Sequence, residues 1–268
     1  MLNLATLSQT LLPFGASNPL DPISQFEIKR IADLRIGNFD ISFTNSGLMM
    51  LVALGLTILW LTLGTRSKAL VPGRSQSIVE VSYEFIANMI RSSAGPDGLR
   101  FFPFVYALFI FILFANMLGM FPVFFTTTSH LIVTFALAMM VMLVVVGYGL
   151  FKHGFGFFKL FWPSGVPLAV KPLVSVLEVI SFLSRPISLS IRLWANVLAG
   201  HILLKLFAGF AVVLAGSEAL GLKAISVVPF VMTFALVPLE FLVSFVQAFV
   251  FALLTCVYLS DALHPGHH

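Results

Sequence analysis

Residues 184–207, SRPISLSIRLWANVLAGHILLKLF, place two arginines, a histidine and a lysine in a stretch otherwise apolar enough for lipid. A guanidinium keeps its proton wherever it is put, and a charge at the centre of a bilayer costs at least ~2.5 kcal/mol. Such a group can hold a carboxylate ionised where the acid would otherwise keep its proton. At ~4 Å and an effective dielectric near 20 the attraction is ~4 kcal/mol, or about three pK units. Arg192 fits this use, because no acidic residue lies within two turns of it on its own segment.

At 100° per residue, Glu178, Ser181, Arg185, Ser188, Asn196 and Ala199 fall within about 40° of Arg192, while His201 and Lys205 lie on the far side. Ala195 and Ala199 make a small-xxx-small pattern beside the arginine, which lets another helix, and a carboxylic acid on it, come close. The segment from Lys223 to about Ser260 repeats the pattern, with Thr233, Ser244, Gln247 and Tyr258 within about 40° of Glu240. In an antiparallel hairpin, residues at one level have numbers with a constant sum. Arg192 with Gln247 and His201 with Glu240 agree to within two, and the turn they imply falls in AGSEALGLK, residues 215–223. The guanidinium is then level with a neutral amide, the imidazole with a carboxylate.

Structural readings stand beside these. Glu178 and Arg185, seven residues apart, either form a structural ion pair or line a path; Asn116 either lines a path or holds a helix end; His130 either relays protons or caps a helix. His264, His267 and His268 read as a solvated tail, so no metal site or cofactor is expected.

The elements that must carry these residues follow from composition. Of 268 residues, 59% are hydrophobic and 10% charged, with a mean hydropathy of +1.04. Soluble domains carry roughly 25% charged residues, so an all-α polytopic membrane protein is expected. The net charge of +4 is scattered through loops, which excludes nucleic-acid binding, and the single Cys256 excludes an internal disulfide framework. Without a basic stretch at its start, the chain reads as inserted without cleavage.

Residues 1–45 read as an extramembrane tail and 46–268 as one membrane domain, with no internal repeat. An ordinary transmembrane helix is expected at 46–64 and a surface amphipathic helix at 76–94, with Ile78, Val81, Phe85 and Met89 at helical spacing. A transmembrane pair follows at 101–121 and 130–151, then two long helices at 172–213 and 223–260. The long helices would measure about 63 and 57 Å against a hydrocarbon core of about 30 Å, so a steep tilt is expected unless Pro186, Pro229 and Pro238 break them. Arg66, Lys68, Arg74, Arg91 and Arg100 in one loop, and Lys152, Lys159 and Lys171 in another, put those loops and the C-terminus inside and the N-terminus outside.

SRPISLSIRLWANVLAGH resembles the signature of the a subunit of F-type ATP synthases, and LEFLVSFVQAFVFALLTCVYLSDA resembles the last helix of that family. DPISQFEI, LVPGRSQSIVE, LFANMLGMFP and TTTSHLIVTFALA match in order, so the resemblance, of an alphaproteobacterial or mitochondrial type, covers nearly the whole chain. It implies a stator subunit whose tilted hairpin packs against a ring of c subunits, each bearing a carboxylate. Arg192 would be the essential arginine between two aqueous half-channels, with Asn196 and Gln247 as its polar neighbours; Ser244, on the stripe of Glu240, is a further candidate for the proton path. His201, Glu240, Asn116 and His130 would line the outer, uptake path; Glu178, Arg185, Ser188 and Tyr258 the inner, exit path. Many bacterial members carry the acid after AG and the histidine on the last helix; here His201 and Glu240 reverse that order. The resemblance further implies peripheral-stalk b-type subunits, other synthase membrane subunits and lipid as partners, and an energy-transducing inner membrane, bacterial or mitochondrial. Nucleotide chemistry would belong to other subunits. A secondary transporter using Arg192 to bind an anion is the rival reading; it predicts repeats and broken helices at the midplane.

Overall fold

The computed structural model describes Phe26, Ile28 and residues 30–32, 35–36, 39–40, 43–66, 73–121, 125–162, 167 and 170–263. Most of the expected tail, the Lys68 position and the terminal histidines lie outside these residues. Two short antiparallel pairs, β1 (Arg30–Ala32) with β4 (Phe43–Thr44) and β2 (Arg35–Ile36) with β3 (Phe39–Asp40), precede the helices.

The helices are α1 (Asn45–Arg66), α2 (Arg74–Ala94), α3 (Phe102–Gly119), α4 (Leu131–His153), α5 (Lys171–Ala215), α6 (Leu220–Ile225) and α7 (Val227–Leu263). Apart from α2, every helix that meets the length of a bilayer is apolar enough to cross one. This is a multi-pass, all-α membrane protein. Helix ends differ from the expected ones by about a turn at most, with one correction. The last long helix does not run unbroken from Lys223: it turns at Ser226, and Pro229, which has no N–H to give to the preceding turn, restarts it as α7.

α5 is continuous over 45 residues, or about 67 Å, despite a buried Pro186 in its middle. Its length is more than twice the hydrocarbon core, and apolar side chains run along all of it, which requires a steep tilt. One stripe of α5, Phe182, Pro186, Leu189, Leu193 and Val197, is buried; Leu177, Ile180, Leu183, Ile187 and Ile191 on another face are exposed. α7 turns Ala248, Phe251, Ala252, Thr255 and Leu259 inward to join the core shared with α3 and α4.

α2 buries Ile86, Met89 and Ile90 against the bundle and leaves Ile78, Val81 and Phe85 exposed. Of the four apolar positions expected to form one face, Met89 therefore packs on protein, Phe85 sets its ring against Phe249 at 5.4 Å while staying exposed, and Ile78 and Val81 point away. A hydrogen-bond chain holds α2 to its neighbours. Trp60 Nε1 donates to the Tyr106 hydroxyl at 3.1 Å. The Ser82 hydroxyl gives its proton to the Val79 carbonyl, so Tyr106 is the donor across the 2.7 Å contact to Ser82.

Candidate functional site

Arg192 sits on the flank of the buried stripe of α5 and is exposed, as are Ser188, Asn196 and Ala199 around it. Among the described residues no carboxylate lies within 4.0 Å of its guanidinium. The polar stripe of α7 behaves oppositely: Glu240, Ser244, Gln247 and Tyr258 are all buried, because α7 turns that stripe toward α5 and α3. The two helices pack antiparallel, and the Glu240 carboxylate rests directly on Gly200. That contact gives the register the residue numbers imply.

At one end of this pair, Asn116 near the end of α3 is buried and donates through Nδ2 to the Ser244 carbonyl at 3.4 Å. The connector between α3 and α4 adds Thr126, whose hydroxyl donates to the Gly119 carbonyl at 3.2 Å and meets His201 Nε2 at 3.3 Å. The Phe26 ring meets the same imidazole in a T-shaped arrangement, with centroids 6.3 Å apart. His130 occupies the N-cap position of α4 without capping it through its side chain. Its ring stacks on Phe125 instead, and burial holds it below the ordinary imidazole range, opposed by a hydrogen bond to the Phe26 backbone. Asn116 Oδ1, Thr128 Oγ1, His130 Nε2 and both carboxylate oxygens of Glu240 are buried with no hydrogen-bond partner among the described residues. So many polar atoms at one end fit a path shared with water, since buried polar groups otherwise find partners.

His201 and Glu240 do not pair directly. They differ by one position in level, but the imidazole is turned to Thr126 and the carboxylate to Gly200.

At the other end, Arg185 Nη1 meets Asp261 at 2.6 Å and Arg185 Nη2 meets Glu178 at 3.7 Å, all three side chains largely shielded. The guanidinium also lies over the Tyr258 ring at 5.0 Å and the Phe182 ring at 5.4 Å. Glu178 and Arg185 are therefore ion-paired, with Asp261 the tighter partner. Lys152 and His153, at the end of α4, reach the Leu263 carbonyl at 3.4 and 3.2 Å and satisfy the open end of α7. Along α5, His201 and Arg185 are about 24 Å apart, and Arg192 stands between them.

The family model described as "ATP synthase A chain" matches residues 47–260. The chain belongs to that family. It is 58% identical to "ATP synthase subunit a" of Chelativorans sp. (strain BNC1) over 247 residues, 92% of this chain and 99% of the relative. Over 252 residues it is 56% identical to the protein of that name from Mesorhizobium japonicum, covering 94% and 100%. The relative from Sinorhizobium fredii is 58% identical over 248 residues, covering 92% and 99%. The matched interval takes in Arg192, all of α5, and α7 as far as Ser260.

Three participants escaped the sequence reading. Asp261 lies 76 residues from Arg185, and its only signal was an acid near the end of an apolar helix. Gly200 carries no chemistry and shows its use only where Glu240 touches it. Thr126 is one hydroxyl in a run of three threonines, with nothing in the sequence to single it out.

Proposed function

We propose that this chain is the proton-conducting stator subunit of an F-type ATP synthase, with no active site of its own. Two offset half-channels deliver protons to and from the carboxylates of a c-subunit ring, and Arg192 stands between them. The observation that carries this reading is Arg192 itself: an exposed guanidinium on a spanning helix, beside exposed Ser188 and Asn196, without a carboxylate partner among the described residues, between two polar clusters. A charge that cannot be shed needs a counter-charge from another chain, and Ala195 and Ala199 leave room for a helix to bring one.

His201, Glu240, Asn116 and His130 belong to the uptake path in this reading, joined by Thr128, with Thr126 beside His201. Glu178, Arg185, Ser188 and Tyr258 belong to the exit path with Asp261, and Asn196, Gln247 and Ser244 flank the barrier. Orientation follows the basic residues. Arg100 reaches the Tyr148 hydroxyl at 2.6 Å, Lys152 the Leu263 carbonyl, and Lys171 the Trp162 ring, all at the Asp261 end. This favours that end, and the C-terminus, inside, with the N-terminus outside. The membrane is an energy-transducing inner membrane, and b-type subunits of the peripheral stalk, other membrane subunits and lipid cover the remaining apolar faces.

The test is proton flux and ATP synthesis in inverted vesicles carrying the whole complex, wild type against Arg192→Ala. Synthesis lost while passive leak persists or rises is the expected result. Synthesis that survives the substitution overturns the reading.

A further inference from the structure

The hydroxyl of Thr126 has one proton, and the geometry gives it to the Gly119 carbonyl, which can only accept. That carbonyl lies in the last turn of α3, where helical N–H donors run out. Thr126 Oγ1 is therefore left as an acceptor at 3.3 Å from His201 Nε2. The contact is tightly built: a methyl group on Gly119 would come within 2.6 Å of Thr126 Cγ2 and 2.8 Å of its hydroxyl oxygen. Thr126, seven residues beyond the end of α3, and Gly119, the last residue of α3, thus aim a single lone pair at the imidazole.

We propose that Thr126 is the positioning residue that holds His201 in its Nε2–H tautomer, so that protons are taken up and released at Nδ1 alone. This rests on the proton-path reading above. A proton arriving from water binds the Nδ1 lone pair and makes the imidazolium. The same Nδ1–H then passes to the next acceptor, and the neutral Nε2–H imidazole is restored without a ring flip. The Nε2 side is a dead end, because its proton points at a hydroxyl whose own proton is committed to a carbonyl. His201 then acts as a side acceptor on the path rather than as a link that passes protons from one nitrogen to the other. The titratable and charged groups around it are Lys205 on α5, whose charge acts on the imidazole, Glu240 on α7 and His130 in the connector. Those of α4, Tyr148, Lys152 and His153, lie at its other end.

The test is ATP synthesis as a function of pH in vesicles carrying the whole complex, with wild type, Thr126→Val, Thr126→Ser and Arg192→Ala in parallel. A hydrogen bond from a charged donor is stronger than one from a neutral donor. Losing the hydroxyl therefore disfavours the imidazolium, and Thr126→Val moves the half-maximal point to lower pH by about half to one unit. Thr126→Ser keeps the wild-type profile. A Thr126→Val profile that coincides with wild type, or a Thr126→Ser profile displaced as far as that of valine, overturns the inference. Arg192→Ala separates the two failures: if it still makes ATP, the proton-path reading itself falls; if it is dead while Thr126→Val is unshifted, only the role of Thr126 falls. Should the valine variant not assemble, ¹⁵N spectra of histidine-labelled wild-type complex decide. Nε2 protonated and Nδ1 bare supports the assignment, and the reverse removes it.

Discussion

The Glu240 carboxylate lies against Gly200 so closely that a methyl group on that glycine would overlap Oε1. This contact limits how closely α5 and α7 approach at the level of the cluster formed by His201, Asn116 and Thr126. Gly200→Ala must therefore move the carboxyl group or separate the helices. ATP-driven proton pumping is expected to fall about tenfold or more in assembled complex, since a small misplacement of a reacting group can cost on that order. Combining it with Glu240→Asp, whose carboxyl sits one methylene further back, restores part of the loss. Dye quenching in inverted vesicles measures both, and undiminished pumping in Gly200→Ala would show the contact to be unimportant.

The 2.6 Å Arg185–Asp261 pair ties the middle of α5 to the end of α7 with little help from solvent. Removing Asp261 leaves the guanidinium only its longer contact to Glu178, and removing Arg185 takes the cation away from both acids; breaking a shielded pair costs up to about 3–5 kcal/mol. Asp261→Asn and Arg185→Met should each lower the thermal stability of the detergent-solubilised complex, and the double variant should lose much less than their combined effect. Strict additivity in that double-mutant cycle would mean that the pair contributes nothing.

Arg192→Lys keeps the charge but replaces a planar, delocalised fork by a compact ammonium that sheds its proton more readily when desolvated. ATP synthesis is expected to be abolished although the net charge is unchanged. A lysine variant with wild-type synthesis would reduce the role of Arg192 to a point charge.

Tyr106→Phe removes the hydroxyl that accepts from Trp60 and donates to Ser82. The loss is expected to cost about 1–3 kcal/mol, because the indole N–H is left without that partner. Since these hydrogen bonds tie α2 to α1 and α3, the loss should appear as faster proteolysis between α1 and α2. Cleavage kinetics equal to wild type would place the stability of α2 elsewhere, in the packing of Ile86 and Ile90.

Much of this architecture was legible in the sequence because it depends on one helix at a time. Spanning length and the presence of one polar stripe on each of α5 and α7 are consequences of 3.6-residue periodicity and of the cost of charge in lipid; that the stripe of α7 turns inward and that of α5 outward is not. Even the register of α5 on α7 could be read, since an antiparallel hairpin has a single free number, and the contact of Glu240 with Gly200 falls between the two levels that Arg192 and His201 imply. What the tertiary structure decided is which atoms meet. His201 and Glu240 share a level within one residue, but helix rotation turns the imidazole to Thr126 and the carboxylate to a glycine. Arg185 finds Asp261 on another helix at 2.6 Å, closer than Glu178 on its own at 3.7 Å. Periodicity assigns a residue to a face of its own helix; only the mutual rotation and approach of two helices, set by glycines and small side chains packed between them, decides the partner that face receives.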